Sequence, residues 1–218
     1  MIDPSLSEPT WFIDSESSEV ESFAESALAD VSRDDDTAVA VALFEAVRDG
    51  LRYDPYGLSR DPADYRASAI ARSSSNWCVP KAVLLTAAAR QVGIPARLGF
   101  ADVQNHLTSE KLEARMGTDV FHWHGYSELF LGDRWFKLST AFNSELCDRF
   151  GVKALDFDGT ADALMHPFDQ HGRPHMEYVH QRGSYSDLPL QEIFDDFDEL
   201  YPEMSSEGGD DAAFADGG

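Results

Sequence analysis

Apolar and polar positions change rhythm along this chain, and the changes mark its elements. From Glu19 to Ser32, residues Val20, Phe23, Ala24, Ala27 and Leu28 recur at helical spacing and predict an amphipathic helix over 19–32. A second stripe, Val39, Ala42, Leu43, Ala46 and Val47, predicts a helix over about 37–50. Asp34, Asp35 and Asp36 complement the dipole at its start, and Gly50 is its expected stop. Upstream, Pro4 and Pro9 break any regular helix, so 1–18 read as an extended lead-in. Turn signals dominate 53–76 (Asp54-Pro55, Tyr56-Gly57, Asp61-Pro62, Ser73 to Asn76), with room for a short helix around Tyr65 to Ala71.

At Cys78 the polar face almost vanishes. CVPKAVLLTAAARQV, Cys78 to Val92, predicts a strong helix closed by Gly93, with Pro80 in the first turn where its missing N–H does no harm. The chain then turns strand-like at 96–101, Phe121 to Leu131 and Arg134 to Ser139. The last two runs flank Gly132-Asp133, a hairpin signal. Residues 144–150 predict a short helix, 151–190 mix turns with scattered histidines and aromatics, and Leu190 to Leu200 predict a short acidic helix. The segment 204–218, MSSEGGDDAAFADGG, reads as an acidic disordered tail. No internal repeat is visible. Helices followed by an antiparallel sheet predict an α+β fold, with 1–203 as one domain whose core lies at about 37–143.

Composition narrows the partners. The 218 residues are 43% hydrophobic, enough for a real core in one domain. Acid outweighs base by 40 residues to 17, a net charge of −23, which repels nucleic acid and anionic membrane surfaces. Lysine is scarce, occurring at Lys81, Lys111, Lys137 and Lys153. Recruitment of a basic partner is one reading of this charge. The reading favoured here is an acidic, lysine-poor surface similar to that of salt-adapted, halophilic proteins, where screening removes the self-repulsion. No apolar run reaches the ~18 residues of a transmembrane helix, and the acidic start does not look like a secretory signal; the expected compartment is the cytosol. Oligomeric state is not legible.

Two cysteines, Cys78 and Cys147, fit no zinc spacing, and a disulfide is not expected in the cytosol. A thiol attacks as thiolate, and a helix N-terminus favours that form. Cys78 opens the apolar helix after a turn-like Ser-Ser-Ser-Asn-Trp, so it is the candidate nucleophile, against the bland alternative of a buried inert thiol. The Cys78 backbone N–H is the expected oxyanion donor, with Asn76 or Trp77 as a second. Cys147 lacks this context. A base is needed, and seven histidines are available. His122 and His124, two apart in a strand, are expected on one face. No Cys, Asp or Glu nearby completes a metal set with them, no calcium loop is present, and no metal or cofactor is expected. His124 opens the hairpin expected to pack on the Cys78 helix and is the better base. His166, His171, His175 and His180 match no defensible metal spacing, and Asp169 and Glu177 are expected to pair with them.

These motifs resemble a known family. Asn76-Trp77-Cys78, then Lys81 to Leu85 and Ala89 to Arg97 with its Gly-Ile-Pro-Ala-Arg exit, resemble the cysteine helix of transglutaminase-like domains, prokaryotic subgroup. His124-Gly125-Tyr126-Ser127-Glu128 and Trp135-Phe136-Lys137-Leu138 resemble the two strands that follow, and the likeness covers about 76–143. The resemblance implies a papain-like core, a nucleophile-bearing helix packed on an antiparallel sheet, and a Cys-His-Asp triad with Cys78 as nucleophile and His124 as base. Where the family has Asp, this chain has Ser139, which can orient an imidazole but adds no charge. Asn143 and Asp102 are alternative third members. The implied function is thiol-dependent acyl transfer at amide bonds of a peptide, protein or small amide. Cysteine protease or amidase-like hydrolysis is favoured because small members of the subgroup lack further domains for protein acceptors. Transglutaminase-type transfer to an amine and a non-catalytic peptide-binding module are the alternatives.

Overall fold

The helix that begins at Cys78 is the axis on which the other elements pack. The computed structural model describes residues 3–106, 116–164, 169, 171–173 and 175–201, so the predicted tail at 204–218 and His166 lie outside the described residues. In chain order, helices α1 (Ser18–Ala27) and α2 (Asp36–Gly50) precede strand β1 (Arg52–Tyr53), short helix α3 (Ala67–Ile70) and strand β2 (Ser75–Asn76). Helix α4 (Cys78–Gln91) follows, then β3 (Ala96–Asn105), β4 (Val120–Leu131), β5 (Arg134–Leu138), α5 (Ser144–Phe150), β6 (Met176–Tyr185) and α6 (Leu190–Leu200). Strands β5-β4-β3-β6, in that spatial order, form an antiparallel sheet, and β1 and β2 pair in parallel beside it. The fold is α+β.

Every residue of α4 from Cys78 to Arg90 is buried, as expected of a helix that is apolar on all sides. Its end is a Schellman turn: the Gly93 and Ile94 N–H groups return to Arg90 and Ala89 oxygens, and Gly93 takes a φ of 86° that side chains disfavour. Helices α1, α2 and α3 enclose one side of α4 and β4 the other. Ser127 Oγ donates to the Ala82 carbonyl at 2.9 Å and receives the Thr86 hydroxyl at 3.1 Å, fixing helix to strand. One turn earlier, Gly125 sits against Val79 so closely that a Cβ there would stand 3.0 Å from the Val79 backbone. The hydrophobic cluster reaches beyond 37–143 on both sides, taking in Ile13, Val20 and Leu28 and, from α6, Ile193, Phe194 and Phe197.

Two expectations are corrected. The first helix stops at Ala27 rather than 32, because Leu28 leaves helical geometry to bury its side chain while the chain turns toward α2. Strand β6 falls inside 151–190, a segment whose sequence reads as turns. It is an edge strand with only Met176 buried, so it carries no apolar alternation to betray it.

Candidate active site

The start of α4 and the middle of β4 meet at one end of the sheet. Trp77 occupies the N-cap position of α4, and its side chain makes no capping hydrogen bond. The first N–H groups of the helix are therefore free of side-chain caps. Burial pushes the Cys78 thiol up to about 11, while N–H groups of Gly125, Val79 and Cys78 itself, and the charge of Lys81, pull the other way. Gly125 can bring its N–H to the sulfur because it has no side chain to hold α4 away. The residue before it on the strand is His124.

His124 is 5% exposed, and burial pushes its imidazole down to about 4. Its Nε2 lies 3.3 Å from Ser139 Oγ, just beyond the end of β5, and its ring meets Tyr178 edge-on. The structure thus brings Ser139 to His124 and the strand of His124 to Cys78. Asn143 does not join them: its Oδ1 accepts the Tyr53 N–H at 3.2 Å. Asn76 donates its amide to Ser73 Oγ at 3.0 Å. Trp77 packs on Tyr65 and Phe197, and its indole N–H, beside the Tyr65 hydroxyl, forms no well-aligned hydrogen bond.

Asp102 is occupied elsewhere. Its carboxylate accepts the Trp123 N–H at 3.1 Å and the Arg182 Nε on one oxygen, and lies 3.1 Å from His122 Nδ1 on the other. Burial opposes its charge, but bonds from Arg182, His122 and the Trp123 N–H outweigh burial and hold the carboxyl below its ordinary value. The expectation that His122 and His124 share a face fails here. Ala101 pairs with His124 but Val103 pairs with Phe121, so β4 carries one extra residue opposite Asp102. This bulge resets the alternation, and His124 shares its face with Phe121 instead.

Lys81 anchors the start of α4. Fully buried one turn after Cys78, it donates from Nζ to the carbonyls of Arg48 (2.9 Å), Leu51 (2.6 Å) and Ala141 (3.1 Å). A lysine inside an apolar helix of a lysine-poor chain was the available signal. Arg182 gave none, since its strand was not visible. Of the C-terminal histidines, His175 stacks on Phe142, and the Asp169 carboxylate pairs with the Arg173 guanidinium and accepts the backbone N–H of His171 at 2.8 Å. Among the described residues no group of three or more His, Cys, Asp or Glu could hold a metal ion, and no helix is long and apolar enough to cross a membrane.

Chemically, the arrangement offers a thiol at a helix start, an oriented neutral imidazole and backbone N–H groups that the N-cap side chain leaves uncapped. The family model of the transglutaminase-like superfamily matches residues 10–140. The fold is similar to the solved structure of a candidate cysteine protease from Cytophaga hutchinsonii, with a TM-score of 0.50 and 13% identity. That likeness covers 85% of this chain and 48% of the other, so this chain spans about half the length of its structural relative. At this identity the likeness speaks for the α+β papain-like fold alone. No curated protein matches the sequence.

Proposed function

The chain belongs to the transglutaminase-like superfamily, and from that premise we propose that it carries out thiol-dependent acyl transfer at amide bonds, with Cys78 as nucleophile and His124 as base. The observation that carries this reading is the close packing of Gly125 on Val79, which puts the residue after His124 against the residue after Cys78.

Burial leaves both groups neutral at rest, thiol and imidazole. The Cys78 proton therefore passes to His124 as sulfur attacks the carboxamide carbon. The carbonyl π pair moves to oxygen, where N–H groups at the start of α4 receive the oxyanion. Collapse re-forms the carbonyl and breaks the C–N bond, and the imidazolium returns its proton to the departing amine. The thioester then passes to water, deprotonated by His124, releasing the acid and restoring the thiol. Water is the favoured acceptor because it needs no second binding site; a primary amine in its place would give transamidation. Ser139 keeps the His124 ring oriented without adding charge.

The test measures ammonia or amine release from peptide amides and glutamine-containing peptides, with a dansylated amine present to report transfer. Wild type is expected to hydrolyse and Cys78→Ala to be inactive. Equal rates in the two proteins would end the proposal, and dominant incorporation of the amine would replace hydrolysis by transfer. The specific observation favouring a non-catalytic peptide-binding module is Ser139 where a carboxylate would stand. That reading expects peptide binding with no thioester detectable by mass spectrometry.

A further inference from the structure

Among the described residues, Trp123 is the one non-glycine residue with a positive φ, at 59°. A bulky side chain adopts this conformation only when its surroundings impose it. The residue after it is His124. Trp123 is held from three sides. Its N–H donates to Asp102, its indole Nε1 donates to Asp196 at 2.8 Å, and the Arg182 guanidinium lies over its ring at 4.5 Å. Arg182 in turn bridges Asp102 and Asp196. Asp102 is the centre of the arrangement, because both its neighbours bulge at it: the pairing of β3 with β4 and that of β3 with β6 each shift register beside it.

We propose that Asp102 is the positioning residue of His124: by accepting the Trp123 N–H it pins the left-handed residue whose bulge sets the way His124 faces. The inference rests on the reading of His124 as the base, and it gives Asp102 a task other than partnering that imidazole. The acceptor matters here rather than the charge. Both the Trp123 N–H and Arg182 Nε use the same oxygen, Oδ1. An asparagine could keep that oxygen in place and turn its amide N–H toward His122 Nδ1, preserving all three contacts.

The experiment is a cycle of Asp102→Ala and Trp123→Gly, with Asp102→Asn alongside, in the full chain. It reads the ring 15N resonances of His124, assigned by difference from His124→Gln, and the p-nitrophenol burst from p-nitrophenyl acetate. Asp102→Ala alone is expected to move the His124 resonances and to slow the burst about ten- to a hundredfold, as small misplacements of a catalytic group do. In the Trp123→Gly background the same change is expected to do little, because glycine adopts the positive φ without being pinned. Asp102→Asn is expected to keep the wild-type resonances and a burst within about twofold, the range expected when geometry is conserved. Unmoved resonances in Asp102→Ala, or equal displacement in both backgrounds, would overturn the inference. Should Asp102→Ala not fold, Asp102→Asn decides: displaced resonances refute it and retained ones support it. A burst that survives Cys78→Ala would instead refute the catalytic reading, while the ring resonances still decide the role of Asp102.

Discussion

His124 Nε2 and Ser139 Oγ stand 3.3 Å apart, and both residues are buried. A hydroxyl in this position aligns the ring but leaves an imidazolium without a counter-charge, which is why nothing offsets the burial that pushes His124 down to about 4. Ser139→Asp is therefore expected to raise the His124 pKa by about 1–3 units, the usual effect of a neighbouring opposite charge. If His124 is the base, acylation by p-nitrophenyl acetate should quicken as well, by about tenfold for each 1.4 kcal/mol gained. Histidine NMR titration checks the first expectation and burst kinetics the second; a His124 titration unchanged by the new carboxylate would contradict the contact.

The same depressed imidazole predicts an acid-sensitive fold. In the unfolded chain a histidine takes up its proton near pH 6.5, whereas buried His124 resists it down to about 4. Between those values the unfolded state binds more protons, so stability falls as pH drops from about 6.5 to 4 and is flat with respect to this group outside that window. The loss amounts to roughly 3 kcal/mol at its limit. Urea unfolding of wild type and His124→Gln across pH 4–7 isolates it. The wild-type curve should drop relative to the variant on the acid side, and parallel curves would show that His124 is not shielded as described.

Gly125 makes a steric prediction. A Cβ there would stand 3.0 Å from the Val79 Cα and from one of its methyl groups, and backbone cannot step aside as a flexible side chain can. Gly125→Ala should push the start of α4 off β4, cost about 1–3 kcal/mol as overpacking does, and withdraw the Gly125 N–H from the Cys78 sulfur. Thermal melting measures the first effect. The alkylation rate of Cys78 against pH measures the second, since losing a donor to the thiolate should move its profile to higher pH.

How far these relationships were visible in the sequence depended on whether they left a local pattern. The Cys78 helix, the hairpin after His124 and the packing of one on the other follow from apolar periodicity and a turn dipeptide, and the structure has them. Strand β6 left no pattern because it is an exposed edge, and Arg182 was hidden with it. The bulge at Trp123 is a property of paired strands: nothing in Phe121-His122-Trp123-His124 announces an extra residue until β3 lies beside it and Asp102 supplies the acceptor. Period-two reasoning therefore placed His122 and His124 together. The tasks of Asn143 and Asp102 were equally non-local, since their partners lie far away in sequence, at Tyr53 and at Arg182.

Lys81 ties three backbone segments to the helix that carries Cys78. Its carbonyl partners close the end of α2 (Arg48), the step into β1 (Leu51) and the segment just after Ser139 (Ala141). Lys81→Met keeps the length of the side chain and removes every donor, leaving those carbonyls without it. The cost should be about 2–4 kcal/mol, since each orphaned buried acceptor loses its compensation. The wild-type interaction is itself opposed by burial, which pushes Lys81 down to about 7 from an ordinary value near 10.5. Above pH 7 the folded chain gives up this proton before the unfolded chain does, so wild-type stability should rise relative to Lys81→Met as pH increases from 7 toward 10.5. Urea unfolding of both proteins at pH 6 and pH 9 measures the two effects together. A gap that widens between the two pH values supports a buried ammonium titrating near neutrality. A constant gap would mean that the three carbonyls hold the proton against burial, and a variant as stable as wild type would mean that the carbonyl cage does not stabilise the fold.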